Sequence, residues 1–271
     1  MRVTVISGGT DGMGRGTLEA RLRRGDEVVA IGSNPAKGRS VQALSDRVHF
    51  LRADLRSVAA TRRVIDVIRD RWPTVDALVL CANRQSPRRV VTDEGLEQTF
   101  ALYYLSRYLL SHGLRDQLDA AERPVIINVA GVGSTRGSIH WDDLQLTRRY
   151  GMVDAQLQAG RANDLLGVDF AARSGARARY VLYHPGFTRS GDLSTMPAAV
   201  RGVIRAASVF ARPVGKSVRP VVEWIENPPS EALTANDRGR PVPPSTGTLD
   251  PATARRLGAV TGALLTRLHP G

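Results

Sequence analysis

Short apolar runs recur along the chain at intervals that suit alternating strands and helices. Six runs are candidate strands, and most of them are dense in valine, isoleucine and leucine without polar alternation, which indicates strands buried on both faces. These predicted strands are residues 2–6, 27–31, 48–51, 76–82, 124–129 and 179–183. Strands of this kind belong in the interior of a sheet that is covered on both sides.

Helical periodicity fills the intervals between these runs. From Val58 to Trp72, apolar residues recur every three or four positions, and arginines occupy the opposite face. Leu96, Phe100 and Tyr103 recur at helical spacing and lead into an almost wholly apolar turn, which predicts a deeply packed helix over residues 96–110. Further helices are predicted over residues 152–173, 198–210 and 251–268.

The alternation of strands and helices predicts an α/β fold, a doubly wound, Rossmann-like parallel sheet with helices on both faces. After Gly186 the chain becomes richer in glycine, proline and serine. We therefore predict a single domain, with a core over residues 1–190 and a lid with closing elements over residues 191–271.

Composition bears on whether the protein is expected in a membrane, in an oxidising compartment or in the cytoplasm. Apolar residues make up 42% of the 271, and no apolar run approaches the ~18 residues that span a membrane. The chain enters a predicted strand at once, so we expect neither a leader peptide nor a membrane segment. Cys81 is the only cysteine, so we expect no internal disulfide and a cytoplasmic location.

The net charge of +12 raises the question of nucleic-acid binding. Lys37 and Lys216 are the only lysines, and the arginines are spread along the whole chain without a long basic stripe. No helix-turn-helix or zinc-ligand spacing accompanies them. We therefore expect a solvated arginine-rich surface and no nucleic-acid partner.

A glycine-rich turn, Ser7-Gly-Gly-Thr-Asp-Gly-Met-Gly14, lies between the first predicted strand and the first helix. Glycines at 8, 12 and 14 allow a tight turn and let a pyrophosphate approach backbone N–H groups. The helix that follows offers its positive end to the phosphate charge. Because this glycine-rich turn comes directly after the first predicted strand, we expect the core to bind a dinucleotide.

The Gly-x-x-x-Gly-x-Gly spacing resembles the short-chain dehydrogenase/reductase family. Further landmarks agree with this resemblance, which covers residues 2–190: Asp54-Leu55, Leu80-Cys81-Ala82-Asn83 and His184-Pro185-Gly186 each follow a predicted strand. Trp141-Asp142-Asp143-Leu144-Gln145 and Ala162-Asn163 resemble its retinol-dehydrogenase-like branch. The resemblance implies a nicotinamide cofactor held by Gly8, Thr10, Asp11, Gly12, Met13, Gly14, Ser33, Asn34, Lys37, Asp54, Leu55, Ala82, Pro185, Gly186 and Ser190.

The end of the second strand favours NADP over NAD. An acidic residue there would bind the ribose hydroxyls of NAD and repel a 2′-phosphate. Residues 31–37 contain no carboxylate, and Arg15, Ser33, Asn34 and Lys37 offer partners for a phosphate.

The same resemblance implies a catalytic asparagine, serine, tyrosine and lysine, yet none of the four stands at its matching position. Tyr103 replaces the asparagine, Gly131 the serine, Gln156 the tyrosine and Gly160 the lysine. A glutamine amide can donate a hydrogen bond but cannot release a proton near neutral pH. Loss of a general acid costs roughly 10²–10⁴ in rate, so ordinary tyrosine-driven reduction is not expected.

Three candidate replacements remain: Tyr103, Ser134 and Gln156. Tyr103 would point toward the vacated position, Ser134 lies three residues beyond Gly131, and packing or turn roles compete with catalysis at both. No cluster of metal ligands is present in the sequence, so we expect no metal.

Three functions are left open. The first is an enzyme that acts on a hydrophobic small molecule, either by hydride transfer without the usual residues or by redox-neutral chemistry. The second is a catalytically inactive NADP(H) sensor or scaffold. The third is an ordinary reductase with displaced catalytic residues. From the family we also expect a homodimer or homotetramer built on the helices over 96–110 and 152–170.

Overall fold

The structure, a computed structural model, describes residues 1–173, 175–186, 188 and 212–268. One eight-stranded sheet runs through it in the order β3-β2-β1-β4-β5-β6-β7-β8. The strands are β1 Val3–Ser7, β2 Glu27–Gly32, β3 Val48–Arg52, β4 Ala77–Leu80, β5 Val125–Val129, β6 Arg179–His184, β7 Leu233–Asp237 and β8 Arg240–Pro241. The first seven are parallel and β8 is antiparallel to β7, which confirms the predicted doubly wound fold.

Helices cover both faces of the sheet. They are α1 Gly12–Leu22, α2 Pro35–Gln42, α3 Val58–Arg71, α4 Gln98–Phe100, α5 Ser106–Gly113, α6 Arg115–Asp119, α7 Met152–Ala172, α8 Val214–Glu226 and α9 Pro251–Leu268, with a π-helix at Ala101–Leu105 between α4 and α5. Two apolar clusters result, one on each side of the sheet. None of the helices in the described part of the chain has the length and apolar character to cross a membrane.

The structure has two local features that the sequence pattern did not predict. Within residues 191–271, where a lid and closing elements were expected, β7 and β8 extend the sheet. The β7 sequence, Leu-Thr-Ala-Asn-Asp, is mostly half-buried near the edge of the sheet, so it lacks the valine and isoleucine run of an interior strand. The expected single helix over 96–110 is divided by the π-helix, which its apolar composition does not reveal. The helix predicted over 198–210 lies outside the described residues.

Helix α9 covers the outer side of α7 and the π-helix. Ala254 and Leu257 are each 1% exposed, and the Tyr104 hydroxyl lies 2.7 Å from Thr261 Oγ1. These contacts bury, within a single chain, part of the two helices on which we expected an oligomer. A homo-oligomer remains a prediction, and one formed on this side would have to pack against α9.

Leu257→Ala tests the contribution of α9. Removing this buried side chain should lower the free energy of unfolding by about 2–5 kcal/mol, because a cavity is left between α9 and α7. Chemical denaturation of the variant measures the change. Leu44→Ala, at a leucine that is 46% exposed, is the control and should change stability by less than about 0.5 kcal/mol; equal effects would show that α9 is not firmly packed.

Candidate active site

The glycine turn between β1 and α1 has no space for side chains at two positions. Gly8 has a φ of +70°, and a Cβ atom on it would lie 2.9 Å from the Ala82 nitrogen. A Cβ atom on Gly14 would lie 2.1 Å from the Gly8 carbonyl oxygen. Side chains are thus excluded from these two positions of the turn, which fits a dinucleotide whose pyrophosphate binds backbone N–H groups.

Charged side chains surround the start of α1. Asp11 caps the helix, since its Oδ1 accepts a hydrogen bond of 2.8 Å from the Gly12 N–H, and its Oδ2 pairs with Lys37. Arg15 Nε lies 2.9 Å from Glu19 Oε1. Asn34 caps α2 by accepting from the backbone of residues 36 and 37. The structure thus brings the predicted phosphate partner Lys37 to the glycine turn.

The remaining predicted cofactor residues follow the ends of β3, β4 and β6. Asp54 forms an ion pair of 2.6 Å with Arg56, whose hydrogen bond holds the pKa of that carboxyl below its usual value. Leu55 and Ala82 are buried. Pro185 and Gly186 form the turn after β6, where Gly186 has a φ of +82°. Ser190 lies outside the described residues.

The vacated family positions leave space. A Cβ atom on Gly131 or on Gly160 would meet no heavy atom of the described chain within 4 Å. The Gln156 side chain instead joins Asn83: Asn83 Nδ2 donates to Gln156 Oε1 at 3.0 Å, and Gln156 Nε2 to Asn83 Oδ1 at 3.4 Å. A pair of amides therefore stands where the family resemblance implies a tyrosine.

Tyr103 lies beside this space. It is 7% exposed, and burial raises the pKa of its hydroxyl, while the charge of Arg107 and the backbone of Gly131 act in the opposite direction. Ser134 is half-buried, and its carbonyl oxygen accepts from Arg161 at 2.8 Å. The structure thus brings Tyr103 close to Gly131, and the backbone of Ser134 anchors α7.

Other side chains near the site have different roles. The Tyr150 hydroxyl donates to the Ser86 carbonyl oxygen at 2.9 Å, so this tyrosine ties two loops together. Burial raises the pKa of the Cys81 thiol to about 12, which disfavours the reactive thiolate. Nowhere in the described ranges do three or more potential metal ligands come together.

Arg107 is the site residue that pattern analysis missed. Its side chain is fully buried and pairs with Asn128 Oδ1, and it donates to the carbonyl oxygens of Val129 at 2.8 Å and Ala82 at 2.9 Å. The guanidinium carbon lies 4.6 Å from the centre of the Tyr103 ring. One arginine within the apolar run 96–110 was the available signal, because a buried charge there needs partners.

A second layer holds Asn128 in place. Its Nδ2 donates to Asn163 Oδ1 and to the Tyr180 hydroxyl, each at 3.0 Å. Asn163 in turn donates to the Tyr103 carbonyl oxygen at 2.7 Å. The π-helix, β5 and α7 are thereby connected by one buried polar network behind the candidate site.

Comparisons with known proteins agree with this architecture. A family model described as short chain dehydrogenase matches residues 2–142. The chain belongs to this family. This membership confirms the resemblance seen in the glycine turn, although the comparisons do not examine the vacated catalytic positions.

Two relatives illustrate its place in the family. A protein from Streptomyces sp. (strain C5), which carries the provisional name daunorubicin C-13 ketoreductase, is 29% identical over 97% of this chain and 92% of its own length. Human retinol dehydrogenase 13 is 26% identical over 70% of this chain and 60% of its own length, in line with the retinol-dehydrogenase-like branch.

Solved structures share the fold. A crystal structure of a protein from Mycobacterium paratuberculosis, 21% identical, superposes with a TM-score of 0.76 over 97% of this chain and 93% of that chain. Among similar folds at lower identity, one structure holds NADH and another NADP. The fold is thus one that accommodates nicotinamide dinucleotides of either kind.

Arg107→Met tests the buried network. The variant replaces the guanidinium with an apolar side chain and leaves the oxygen acceptors of Ala82, Asn128 and Val129 without this donor. Each buried unsatisfied group should lower the free energy of unfolding by about 1–3 kcal/mol. We expect the free energy of unfolding to fall by several kcal/mol in urea denaturation. Arg63→Met, on the exposed face of α3, is the matched control and should be nearly neutral; similar losses in both variants would contradict the role given to Arg107.

Proposed function

We propose that this chain is an NADP(H)-dependent oxidoreductase that reduces a carbonyl group on a hydrophobic small molecule, with Tyr103 in place of the family's serine and tyrosine. The observation that carries the proposal is the position of Tyr103, whose buried ring lies 4.6 Å from the Arg107 guanidinium carbon and whose hydroxyl pKa is influenced by the backbone of Gly131. Because the family resemblance assigns the catalytic serine to position 131, we take the Tyr103 hydroxyl as the group that binds the substrate oxygen.

The charge of Arg107 suits this role for Tyr103. A phenol must donate a hydrogen bond, and then a proton, to the alkoxide that develops as the carbonyl is reduced. Burial raises the pKa of Tyr103, so the group keeps its proton near neutral pH, while the Arg107 guanidinium acts in the opposite direction. The cation under the ring would stabilise the phenolate left after proton transfer, as the lysine does in the family pattern.

The amide pair has a supporting part. Gln156 and Asn83 cannot exchange protons with substrate near neutral pH, but both can hold a polar group by hydrogen bonding. The space beside Gly131 and Gly160 leaves room next to these amides. Gln156 is therefore assigned to orientation of the substrate, and Ser134 has no chemical role in this proposal.

The choice of NADPH over NADH as the cofactor depends on the charged residues around the glycine turn. Bound NADPH would supply the hydride. Arg15 and Lys37 are cations on α1 and α2 close to this turn, and the residues after β2 carry no carboxylate that would repel a 2′-phosphate. Both cations have a carboxylate partner, Lys37 at its ammonium and Arg15 at Nε. Because a guanidinium has further N–H donors on its Nη atoms, Arg15 is taken as the main discriminating residue.

The substrate class is supported by the full-length Streptomyces relative, whose name describes reduction of a ketone on daunorubicin. Four apolar residues after Gly186 suit either substrate contact or ordinary packing. Phe187, Met196 and Phe210 lie outside the described residues, and Trp224 packs edge-on against Tyr183. Redox-neutral conversion of the substrate is the alternative that the experiment below distinguishes. A cytoplasmic location is also part of the proposal, because the chain has a single cysteine.

Tyr103→Phe separates this function from its rivals. The variant keeps the ring over Arg107 but loses the hydroxyl, so kcat/KM for NADPH-dependent ketone reduction should fall by roughly 10²–10⁴. The change is measured by NADPH absorbance with aromatic ketones and product analysis. Tyr150→Phe is the control and should retain most activity. Full activity of Tyr103→Phe would place the proton donor elsewhere, and product without NADPH consumption would identify redox-neutral chemistry.

Arg15→Ala tests the cofactor preference. A charge-assisted hydrogen bond to phosphate contributes about 1.5–3 kcal/mol, so loss of Arg15 should weaken NADPH binding by about tenfold or more. NADH, which has no 2′-phosphate, should bind both forms equally. Fluorescence titration with each dinucleotide measures the ratio, and equal weakening of both would indicate that Arg15 supports the helix only.

A further inference from the structure

The tip of the β7–β8 hairpin lies against the Pro185-Gly186 turn that follows β6. Asp237 pairs with Arg240 across the hairpin, which leaves Arg238 and Gly239 as a two-residue loop. Both loop residues have a positive φ, +53° at Arg238 and +90° at Gly239. Such loops favour asparagine followed by glycine, because most side chains are strained at positive φ. Arginine at position 238 is therefore an unfavourable choice for the hairpin itself.

The side chain of Arg238 instead contacts the neighbouring turn. A Cβ atom on Gly186 would lie 3.1 Å from Arg238 Cγ and 3.2 Å from Arg238 Cδ, so the aliphatic stem covers this glycine directly. The guanidinium is anchored to Asp237, with Nε 3.0 Å from Oδ1 and Nη2 2.9 Å from Oδ2. The Arg238 N–H also donates to the His184 carbonyl oxygen at 2.8 Å. The strained residue of the hairpin thus contacts the turn through both its backbone and its side chain.

His184 gives the turn a second connection to β7. Its Nδ1 lies 2.7 Å from Asp237 Oδ1. Hydrogen bonds from Arg238 and then from His184 hold the pKa of Asp237 below its usual value, although burial acts in the opposite direction. An ionised carboxylate can only accept hydrogen bonds. His184 therefore carries a proton on Nδ1 and donates a hydrogen bond to Asp237.

The other side of the turn is connected to α8. Thr188 Oγ1 donates to the Gly186 carbonyl oxygen at 3.4 Å and lies 3.0 Å from Ser217 Oγ. Gly186 itself has a φ of +82°, a conformation that few other residues adopt. The backbone of the turn is thus held between the hairpin tip and α8.

We infer that Arg238 and His184 are positioning residues for the cofactor. Together with Asp237 they form a hairpin clamp, which holds the Pro185-Gly186 turn where the nicotinamide half of the dinucleotide binds. This inference rests on the proposed function, because it takes the cofactor contacts of that turn from the family resemblance. The strain at Arg238 then has a reason, since strained residues persist where the surrounding contacts fix them at a ligand site. A turn that is already ordered spares the cofactor the cost of ordering it.

Arg238→Asn separates the clamp from the hairpin. Asparagine before Gly239 is the preferred pair for this loop, so the Tm should stay equal or rise by up to about 4 °C. Loss of the stem over Gly186 should nevertheless weaken NADPH binding by about 3–10-fold in isothermal titration calorimetry. Adenosine 2′,5′-bisphosphate, which lacks the nicotinamide half, should bind the variant and the wild type equally. Arg240→Gln removes the same charge from an exposed position of the hairpin and should change neither affinity.

Two substitutions of His184 test the second connection. His184→Leu has no donor for Asp237 and should weaken NADPH binding by about 3–10-fold. His184→Asn carries an N–H donor on the side-chain atom that corresponds to Nδ1, so it should bind NADPH with an affinity close to that of the wild type. Calorimetry with both variants, and with the bisphosphate as the second ligand, measures the difference.

Three results would overturn the clamp alone. The first is an unchanged NADPH affinity in Arg238→Asn, and the second is equal weakening of NADPH and the bisphosphate, which indicates a general loss of binding. The third is equal weakening by His184→Leu and His184→Asn, because the hydrogen bond to Asp237 would then have no effect. Failure of the wild type to bind NADPH overturns the cofactor assignment and the clamp together. NADPH binding without ketone turnover overturns only the proposed reaction, and the affinities still decide the clamp.

Discussion

The buried guanidinium of Arg107 is the interaction on which the candidate site depends. Burial of a cation without a carboxylate partner is costly, and it lowers the pKa of Arg107. The cost is offset by oxygen acceptors at the ends of β4 and β5. Those strand ends are therefore held at a fixed spacing, and both the start of α5, which carries Arg107, and the π-helix before it, which carries Tyr103, are held against them.

Two halves of the site follow different physical requirements. At the cofactor end, backbone packing leaves no alternative to glycine at positions 8 and 14, so the turn keeps the geometry of its family. At the chemical end, a side chain at Gly131 or Gly160 would meet open space. The positive charge on this side belongs to Arg107, whose guanidinium lies against the Tyr103 ring.

Polar groups that lie deep in the protein connect these halves. Asn163 marks the family branch in the sequence, and in the structure it holds Asn128 and the Tyr103 backbone. Because such a network is enclosed on all sides, each member is constrained by the others, and a change at one position alters the hydrogen bonding of the rest. This coupling makes Tyr103, Arg107 and Asn128 a single unit.

The sequence by itself determined the α/β class, six of the strands and the glycine turn, because runs of valine, isoleucine and leucine and the spacing of Gly8, Gly12 and Gly14 are local signals. Counting from nearby landmarks also predicted that the family's catalytic residues are absent from positions 103, 131, 156 and 160. Only the tertiary structure decided that β7 joins the sheet, that α9 covers α7, and that the Arg107 guanidinium lies against the Tyr103 ring. These facts depend on contacts between residues far apart in the chain, which no local pattern of hydrophobic and polar positions records.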